Sequence, residues 1–481
     1  MTKVIINRWD GGHAEDIRTH NTNESEESYQ FDILDTPHVL QPVRETVADT
    51  VGTNDMDYYK ILSTVYVGAI GYIGLGRVST SDGNPKIMRK TDINSVWNAS
   101  YAEDTSGVPL ADTLVSYYDK AFWLRTDAGG TVLSSYAIDV ITTEGTITDS
   151  YAGAEPSIRP FVHPEDNILY GVVGNTIFKY VGGTDTFSEH DSILPADVTY
   201  TSITDYGSYL AISGYKDNKS IVYLWGRDTT LNTLQGVIDF GTGRLKIIEN
   251  MGNTLVGIMS PNASSTVKSP KIFIKQWAGG AVDTIKVIPT SSYTNIPNTR
   301  TKSKGVLYFS DSNEYIYALG LNKNNQWALS KYCDVGISNS NITSIVAYDD
   351  ILQITGSATP NYARIINPNG TFTETAVYKT SINPNMYIED RYEDKQLDGV
   401  YIAYTGASSG NLVVKYSVDG SAMTTIISES NETGEKIKFT SAENDGKPFI
   451  NGREFQFQIE STGGAKIKEL GYYYTKIKHS N

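Results

Sequence analysis

The sequence predicts an all-β protein: a β-propeller preceded by an extended N-terminal arm and followed by a C-terminal β-sandwich. Three observations predict it. From Thr64 to Thr373, seven strand-turn-strand clusters follow one another with no amphipathic helical stretch between them. One apolar landmark per cluster (Ile70, Phe122, Leu169, Leu210, Leu255, Leu307, Leu352) gives separations of 52, 47, 41, 45, 52 and 45 residues. A four-stranded propeller blade occupies roughly 40–50 residues. Composition agrees, since the 33 Tyr and 42 Gly accompany short Val/Ile/Tyr/Phe runs bounded by Asn, Asp, Gly and Ser, the pattern of short strands joined by tight turns. The period gives about seven blades, or six if the first cluster belongs to the arm.

The arm, residues 1–57, carries four basic and twelve acidic side chains, a net of −8. It has few apolar residues apart from Val4-Ile5-Ile6, Tyr29, Phe31, Ile33 and Leu34. Such a segment buries too little of its own surface to offset the entropy of ordering, so it is expected to order only against the propeller or a neighbouring subunit. On that reading, removing residues 1–45 leaves a folded propeller that no longer closes into an oligomeric ring.

The propeller spans residues 58–380. Its hairpins are marked by Ser81-Asp82-Gly83, Ala128-Gly129-Gly130, Gly182-Gly183, Asp217-Asn218, Gly279-Gly280 and Pro368-Asn369-Gly370, all residues that tolerate positive φ. Residues 381–481 change rhythm. Val400–Tyr404, Leu412–Tyr416, Lys436–Phe439, Glu454–Ile459 and Glu469–Tyr474 are strand candidates at sandwich-like spacing. Phe455, Phe457 and Ile459 alternate with Glu454, Gln456, Gln458 and Glu460, so one face packs and the other is wet.

Charge and motif content exclude several chemistries. Forty basic against fifty-five acidic residues give −15, with no Lys/Arg-rich block, which argues against tight wrapping of nucleic acid. Cys333 is the single cysteine, so neither an intrachain disulfide nor a thiolate-rich zinc site is possible. Residues 1–20 lack an apolar core long enough for a signal peptide, and no stretch has the ~18 apolar residues of a membrane span. His13, His20, His38, His163, His190 and His479 show no metal-ligand spacing and read as surface or turn histidines. Asp82-Gly83 and Asp419-Gly420 read as hairpin turns. Glu389, Asp390, Glu393, Asp394 and Asp398 are dense enough for a hard cation, but a solvated charged linker is the favoured reading. The pair Asp349-Asp350 alone does not make a glycosidase. Trp9, Trp97, Trp123, Trp225, Trp277 and Trp327 read as core and blade-interface residues rather than a sugar platform. No catalytic, cofactor-binding or metal-ligating residue is assigned, and no cofactor is expected.

The two ends of the chain carry a resemblance. The opening Arg8-Trp9-Asp10-Gly11-Gly12-His13-Ala14-Glu15-Asp16-Ile17-Arg18, then Phe31–His38 and Leu40–Arg44, resembles the start of tail proteins of tailed bacteriophages. Asn451–Ser461 and Lys466–Tyr474 look like the closing strands of such proteins. The order of parts is similar to the tail nozzle, or hub, of short-tailed phages. That resemblance implies a virion structural protein, assembled in the host cytoplasm as a ring, a hexamer, beneath adaptor and portal and beside tail fibre proteins. Double-stranded DNA would pass through its lumen without sequence-specific binding, and the protein would insert in no membrane of its own. No catalytic residue carries over. Two other classes fit a propeller: a receptor- or glycan-binding tail-tip protein, and a glycoside hydrolase or lyase with carboxylates converging in the funnel.

Overall fold

A computed structural model describes residues 1–7, 9, 12–13, 24–34, 40–44, 46–48, 60–68, 70–77, 86–92, 95, 97–103, 107–110, 113–127, 130–137, 140–147, 158–227, 234–260, 270–290, 297, 299–311, 315–322, 325–335, 341–348, 351–357, 362–366, 371–372, 375–384, 386, 390–407, 409–441 and 450–477. Outside them lie Ser81-Asp82-Gly83, Ala128-Gly129, Pro368-Asn369-Gly370, Asp349-Asp350, Glu389, His20, His38 and His479, together with Arg8, Asp10, Gly11 and residues 14–18 and 35–38 of the opening motif.

Seven antiparallel blade sheets follow in chain order among the described residues. Blade 1 spans 60–103, blade 2 108–147, blade 3 161–193, blade 4 199–242, blade 5 244–289, blade 6 300–334 and blade 7 341–366. The fold is a β-propeller with a C-terminal β-sandwich. Each sequence landmark marks the same place in its blade. Phe122, Leu169, Leu210, Leu255, Leu307 and Leu352 lie in the strand that follows the first hairpin, and Ile70 immediately precedes it. All seven are buried, because that strand is packed between neighbouring blades on both faces.

The blades are joined by a repeating hydroxyl contact. Ile248 N–H donates to Ser202 Oγ (3.2 Å), Asn250 N–H to Thr204 Oγ1 (3.4 Å) and Ala347 N–H to Thr301 Oγ1 (3.3 Å). Each pair is 46 residues apart, one structural repeat. Blade 7 meets blade 1 by the same device, Thr64 N–H donating to Ser344 Oγ at 3.1 Å, with Tyr66 and Tyr348 stacked at 3.8 Å beside it.

Residues of the arm enter both modules. Val47–Ala48 pairs with Tyr362–Ile366 and supplies the outer strand of blade 7. Thr2–Ile6 pairs with Lys466–Lys476, and Glu24–Tyr29 pairs antiparallel with Ala376–Thr380 and touches blade 6 at Tyr29↔Lys331. One sandwich sheet therefore runs Thr2–Ile6, Lys466–Lys476, Lys395–Gly406, Gly434–Ser441. The other runs Glu24–Tyr29, Ala376–Thr380, Phe455–Thr462, Asn411–Val418, Thr424–Ser430, and continues into blade 6. Val4, Ile6, Trp9, Phe31, Ile33 and Leu40 are buried in the core between these sheets with Val400, Phe457 and Tyr472. The arm's sparse apolar residues thus pack on the C-terminal strands, a partner more distant in sequence than the propeller that follows it.

All five C-terminal strand candidates are strands, and Phe455, Phe457 and Ile459 are fully buried. The wet face is drier than the alternation implies. Phe455–Thr462 is flanked by strands on both sides, so Gln456 is buried and its Nε2 donates to Thr380 O at 2.8 Å.

Candidate functional site

The first strand of each blade faces the propeller axis, and the charged groups converge at the ends of these strands. Glu249 and Asn250 end the first strand of blade 5, Arg300 and Lys302 begin that of blade 6, and Thr204 and Asp205 close that of blade 4. Arg300 Nε donates to Glu249 Oε2 at 2.8 Å, and Lys302 Nζ lies 3.0 Å from Glu249 Oε1. Lys302 Nζ also donates to Asn250 O at 2.9 Å, while Arg300 Nη2 donates to Ile203 O at 3.0 Å. Asn250 Nδ2 donates to Asp205 Oδ2 at 2.6 Å. From the segment that leads into blade 3, Arg159 Nη1 donates to Arg300 O at 3.2 Å. This bond joins the entry to blade 3 with the first strand of blade 6, 141 residues apart in sequence.

The electrostatics follow from that geometry. Burial pushes the Glu249 carboxyl up, but Arg300 and Lys302 outweigh burial and hold it below the ordinary carboxylate range. Glu249 is therefore an anion clamped by two cations, not a poised acid or base.

A cleft of about 1150 Å³ adjoins this cluster through Asn250 and Lys302, and Gln41–Arg44 of the arm form one wall. Of its cations Arg44, Lys302 and Lys304, Lys302 is engaged as above and Arg44 has its guanidinium 4.3 Å over the Phe372 ring.

Sequence-predicted residues fall elsewhere. His163 is fully buried at the end of blade 3's first strand, where its Nδ1 accepts the Glu165 N–H at 3.3 Å. It is a turn histidine, but not a surface one. Burial, then the nearby Arg227, pushes its pKa down, which keeps it neutral. Trp9, Trp97, Trp123 and Trp225 are buried, in keeping with core positions. Trp327 is half-buried, its Nε1 donating to Gln276 Oε1 across the blade 5–6 interface at 2.6 Å.

The acidic cluster 389–398 is not a solvated linker where it is described. Asp390 is buried and accepts from Tyr474 Oη and Lys476 Nζ. Asp394 pairs with Arg453 at 2.6 Å, and Asp398 accepts from Thr475 Oγ1 at 2.7 Å. Fully buried Lys395 donates to the carbonyls of Asp390 (2.8 Å) and Glu393 (2.8 Å). The carboxylates are neutralised by cationic and hydroxyl partners, Lys476 serving both Asp390 and Glu393. No group of three or more metal-ligating side chains occurs among the described residues.

Glu249, Arg300, Lys302 and Arg159 escape a reading by motif because they come from three separate stretches of chain, the strands Arg244–Asn250 and Arg300–Ser303 and the segment before Phe161–His163. No sequence signal marks them: with the landmarks Leu255 and Leu307 superposed, Asn250 falls on Lys302 and Glu249 on Thr301, so the paired charges do not occupy equivalent positions.

No protein-family model matches the chain, and no curated protein matches it. Among solved structures it is similar to the Dos1 propeller, with 11% identity, TM-score 0.42, 71% of this chain and 93% of that chain covered. It is also similar to the Myceliophteria thermophila Cps50 (Swd1) β-propeller domain, with 10% identity, TM-score 0.41, 67% and 99% covered. An exo-β-1,3-galactanase from Phanerochaete chrysosporium aligns at 9% identity and TM-score 0.32, over 90% of this chain and 100% of that one. These are likenesses of shape, and the fold rests on the sheet topology.

Proposed function

We propose that this chain is a structural subunit of a bacteriophage tail, a nozzle or hub that closes with copies of itself around the DNA exit channel and helps to retain and release the genome. The observation that carries the reading is the course of the N-terminal arm. Thr2–Ile6 and Glu24–Tyr29 lie in the two sandwich sheets, and Val47–Ala48 completes blade 7. The termini and the propeller are thereby tied into one continuous β framework, as a part that must transmit force between neighbours requires. Among the described residues the funnel's two neighbouring carboxylates are both engaged, Glu249 by Arg300 and Lys302 and Asp205 by Asn250, which supports a scaffold over a glycosidase. A net charge of −15 suits a conduit, since an acidic wall repels phosphates and lets DNA run.

Negative-stain electron microscopy of the purified chain, alone and with phage adaptor complexes, tests the reading. Closed rings with a lumen wide enough for duplex DNA are expected. Dispersed monomers under every condition, together with binding on a glycan array, would replace it with the receptor-binding alternative.

A further inference from the structure

Glu249 is matched by cations of the next blade, but two cations at the other end of its strand have no such match. Arg244 and Lys246 open the strand Arg244–Asn250, and neither makes an ion pair or a side-chain hydrogen bond among the described residues. Both rest on one ring instead. The Arg244 guanidinium lies 5.3 Å and Lys246 Nζ 5.2 Å from the ring centroid of Tyr215, in the second strand of blade 4. Arg244 Nε is buried without a hydrogen-bond partner. Burial, then the neighbouring Arg244, pushes the Lys246 pKa down. The attraction of a cation to an aromatic face is smaller than the cost of withdrawing an unpaired cation from water, so the ring does not offset two desolvated charges of one sign.

The backbone beneath the pair is held rigidly. Fully buried Ser220 donates its hydroxyl to Gly243 O at 2.8 Å and accepts the Leu245 N–H at 2.8 Å. Gly243 N–H donates to Asn218 O at 2.7 Å, and Thr201 Oγ1 donates to Leu245 O at 2.8 Å. The register shifts between Leu245 and Ile247, which makes Lys246 the extra residue of a β-bulge, a feature that re-aims a side chain. The first strands of blades 4 and 7 carry the same bulge, nine residues before the landmarks Leu210 and Leu352, with Thr201 and Thr343 as the extra residues. Their hydroxyls bond within the protein, Thr201 as above and Thr343 with Thr355 Oγ1 at 3.4 Å. Blade 5 places a cation at this shared position and a second cation two residues before it.

We propose that Arg244 and Lys246, steadied by the Tyr215 ring, form a binding site for a phosphoryl group, either free phosphate or the phosphate of a small molecule. The inference goes beyond the tail reading and does not depend on it. Two cations without a countercharge match a phosphate dianion more closely than a singly charged carboxylate. The planar guanidinium can present Nε and a terminal nitrogen to two phosphate oxygens, and Lys246 adds a point charge. Such a ligand gives buried Nε its acceptor and removes the repulsion between the two cations. Because the bonds at Gly243 and Leu245 fix the backbone in advance, little ordering accompanies binding.

The test uses the full chain in chloride buffer of constant ionic strength, at a mildly alkaline pH where phosphate is a dianion. Inorganic phosphate and glycerol phosphate are titrated by calorimetry into the wild type, Arg244→Gln, Lys246→Met and the control Lys436→Met, which alters a lysine of the sandwich paired with Glu432. Melting is followed with and without phosphate, and circular dichroism confirms that each variant is folded. Saturable binding is expected for the wild type and Lys436→Met, with affinity at least about tenfold weaker in each site variant. Without phosphate, Lys246→Met should melt no lower than the wild type, since it sheds an unpaired charge. Equal affinities for the two ligands identify free phosphate as the occupant, and tighter binding of glycerol phosphate identifies a phosphorylated small molecule. No saturable binding by the wild type overturns the site. So does unchanged binding by both site variants, and a lower phosphate-free melting temperature of Lys246→Met with binding unchanged would assign the lysine a structural role alone.

Discussion

The Thr64 backbone N–H donates to the Ser344 hydroxyl at 3.1 Å across 280 residues of chain, and at this bond the circle of blades closes. Both residues are fully buried. Removing the hydroxyl leaves a buried amide without its acceptor, and the penalty is its desolvation rather than the modest net worth of one hydrogen bond. Ser344→Ala is expected to lower stability by about 1–3 kcal/mol, read as an earlier urea midpoint. Thr301→Ala, at the equivalent contact but only half-buried, is expected to cost less. Equal effects would mean that the seam between blades 7 and 1 is no more dependent on its hydroxyl than an internal blade junction.

The repeat was legible because it is written in burial. The seven apolar landmarks occupy one strand position per blade, and the core selects their type whatever residues surround them. The hydroxyl relay at Ser202, Thr204, Thr301 and Ser344 has the same period, yet Ser and Thr are common enough in strands and turns that the recurrence hides among them. The Glu249–Arg300–Lys302 cluster was illegible as a motif, because its members meet only when adjacent blades are packed. The arm was read correctly as acidic and sparse in apolar residues. What local composition could not give was its partner, since Trp9 and Tyr378, 5.3 Å apart ring to ring, are separated in sequence by the whole propeller.

That pair makes the arm a stability element. Trp9 is fully buried, packed edge-on against Tyr378 in the sandwich core. Trp9→Ala is expected to cost about 3–5 kcal/mol through the cavity it leaves, seen as an early unfolding transition by far-UV circular dichroism, which follows the backbone rather than the tryptophans. The same logic revises the outcome of deleting residues 1–45. The deletion removes Val4, Ile6, Trp9, Phe31, Ile33 and Leu40 from the core, so the truncated chain should expose that core and bind a hydrophobic dye. A truncated chain with unchanged melting and no dye binding would contradict this packing.

Glu249 is the keystone of the funnel cluster. Glu249→Gln leaves Arg300 and Lys302 facing each other with no countercharge; Arg300 is largely buried and Lys302 partly solvated, which screens part of the penalty. A loss of about 2–3 kcal/mol is expected. An Arg300→Met/Glu249→Gln double variant should recover part of it, because the charge imbalance is relieved. If a double-mutant cycle finds the two effects additive, the ion pair contributes no coupling and the funnel geometry has another cause.

Asp390 ties the start of the Lys395–Gly406 strand to the last one, accepting from Tyr474 and Lys476. Burial pushes its carboxyl up, but Lys476 and Tyr474 outweigh that and hold it below the ordinary value. A folded-state pKa below the unfolded value, about 3.9, contributes stability that is complete above that value. The contribution is lost as pH falls from about 4 through the lowered folded value, because the unfolded chain takes up the proton first. Asp390→Asn should therefore destabilise the protein modestly at pH 7 and flatten the fall in its urea midpoint between pH 5 and pH 3. Lys476 gives the opposite check: its pKa is raised by the same carboxylate, so its contribution is complete at neutral pH and fades only as pH rises through that raised value. Lys476→Met should then leave the alkaline limb flatter than wild type. An Asp390→Asn variant whose acid limb keeps the wild-type slope would assign the acid transition to other carboxylates, Glu249 first among them.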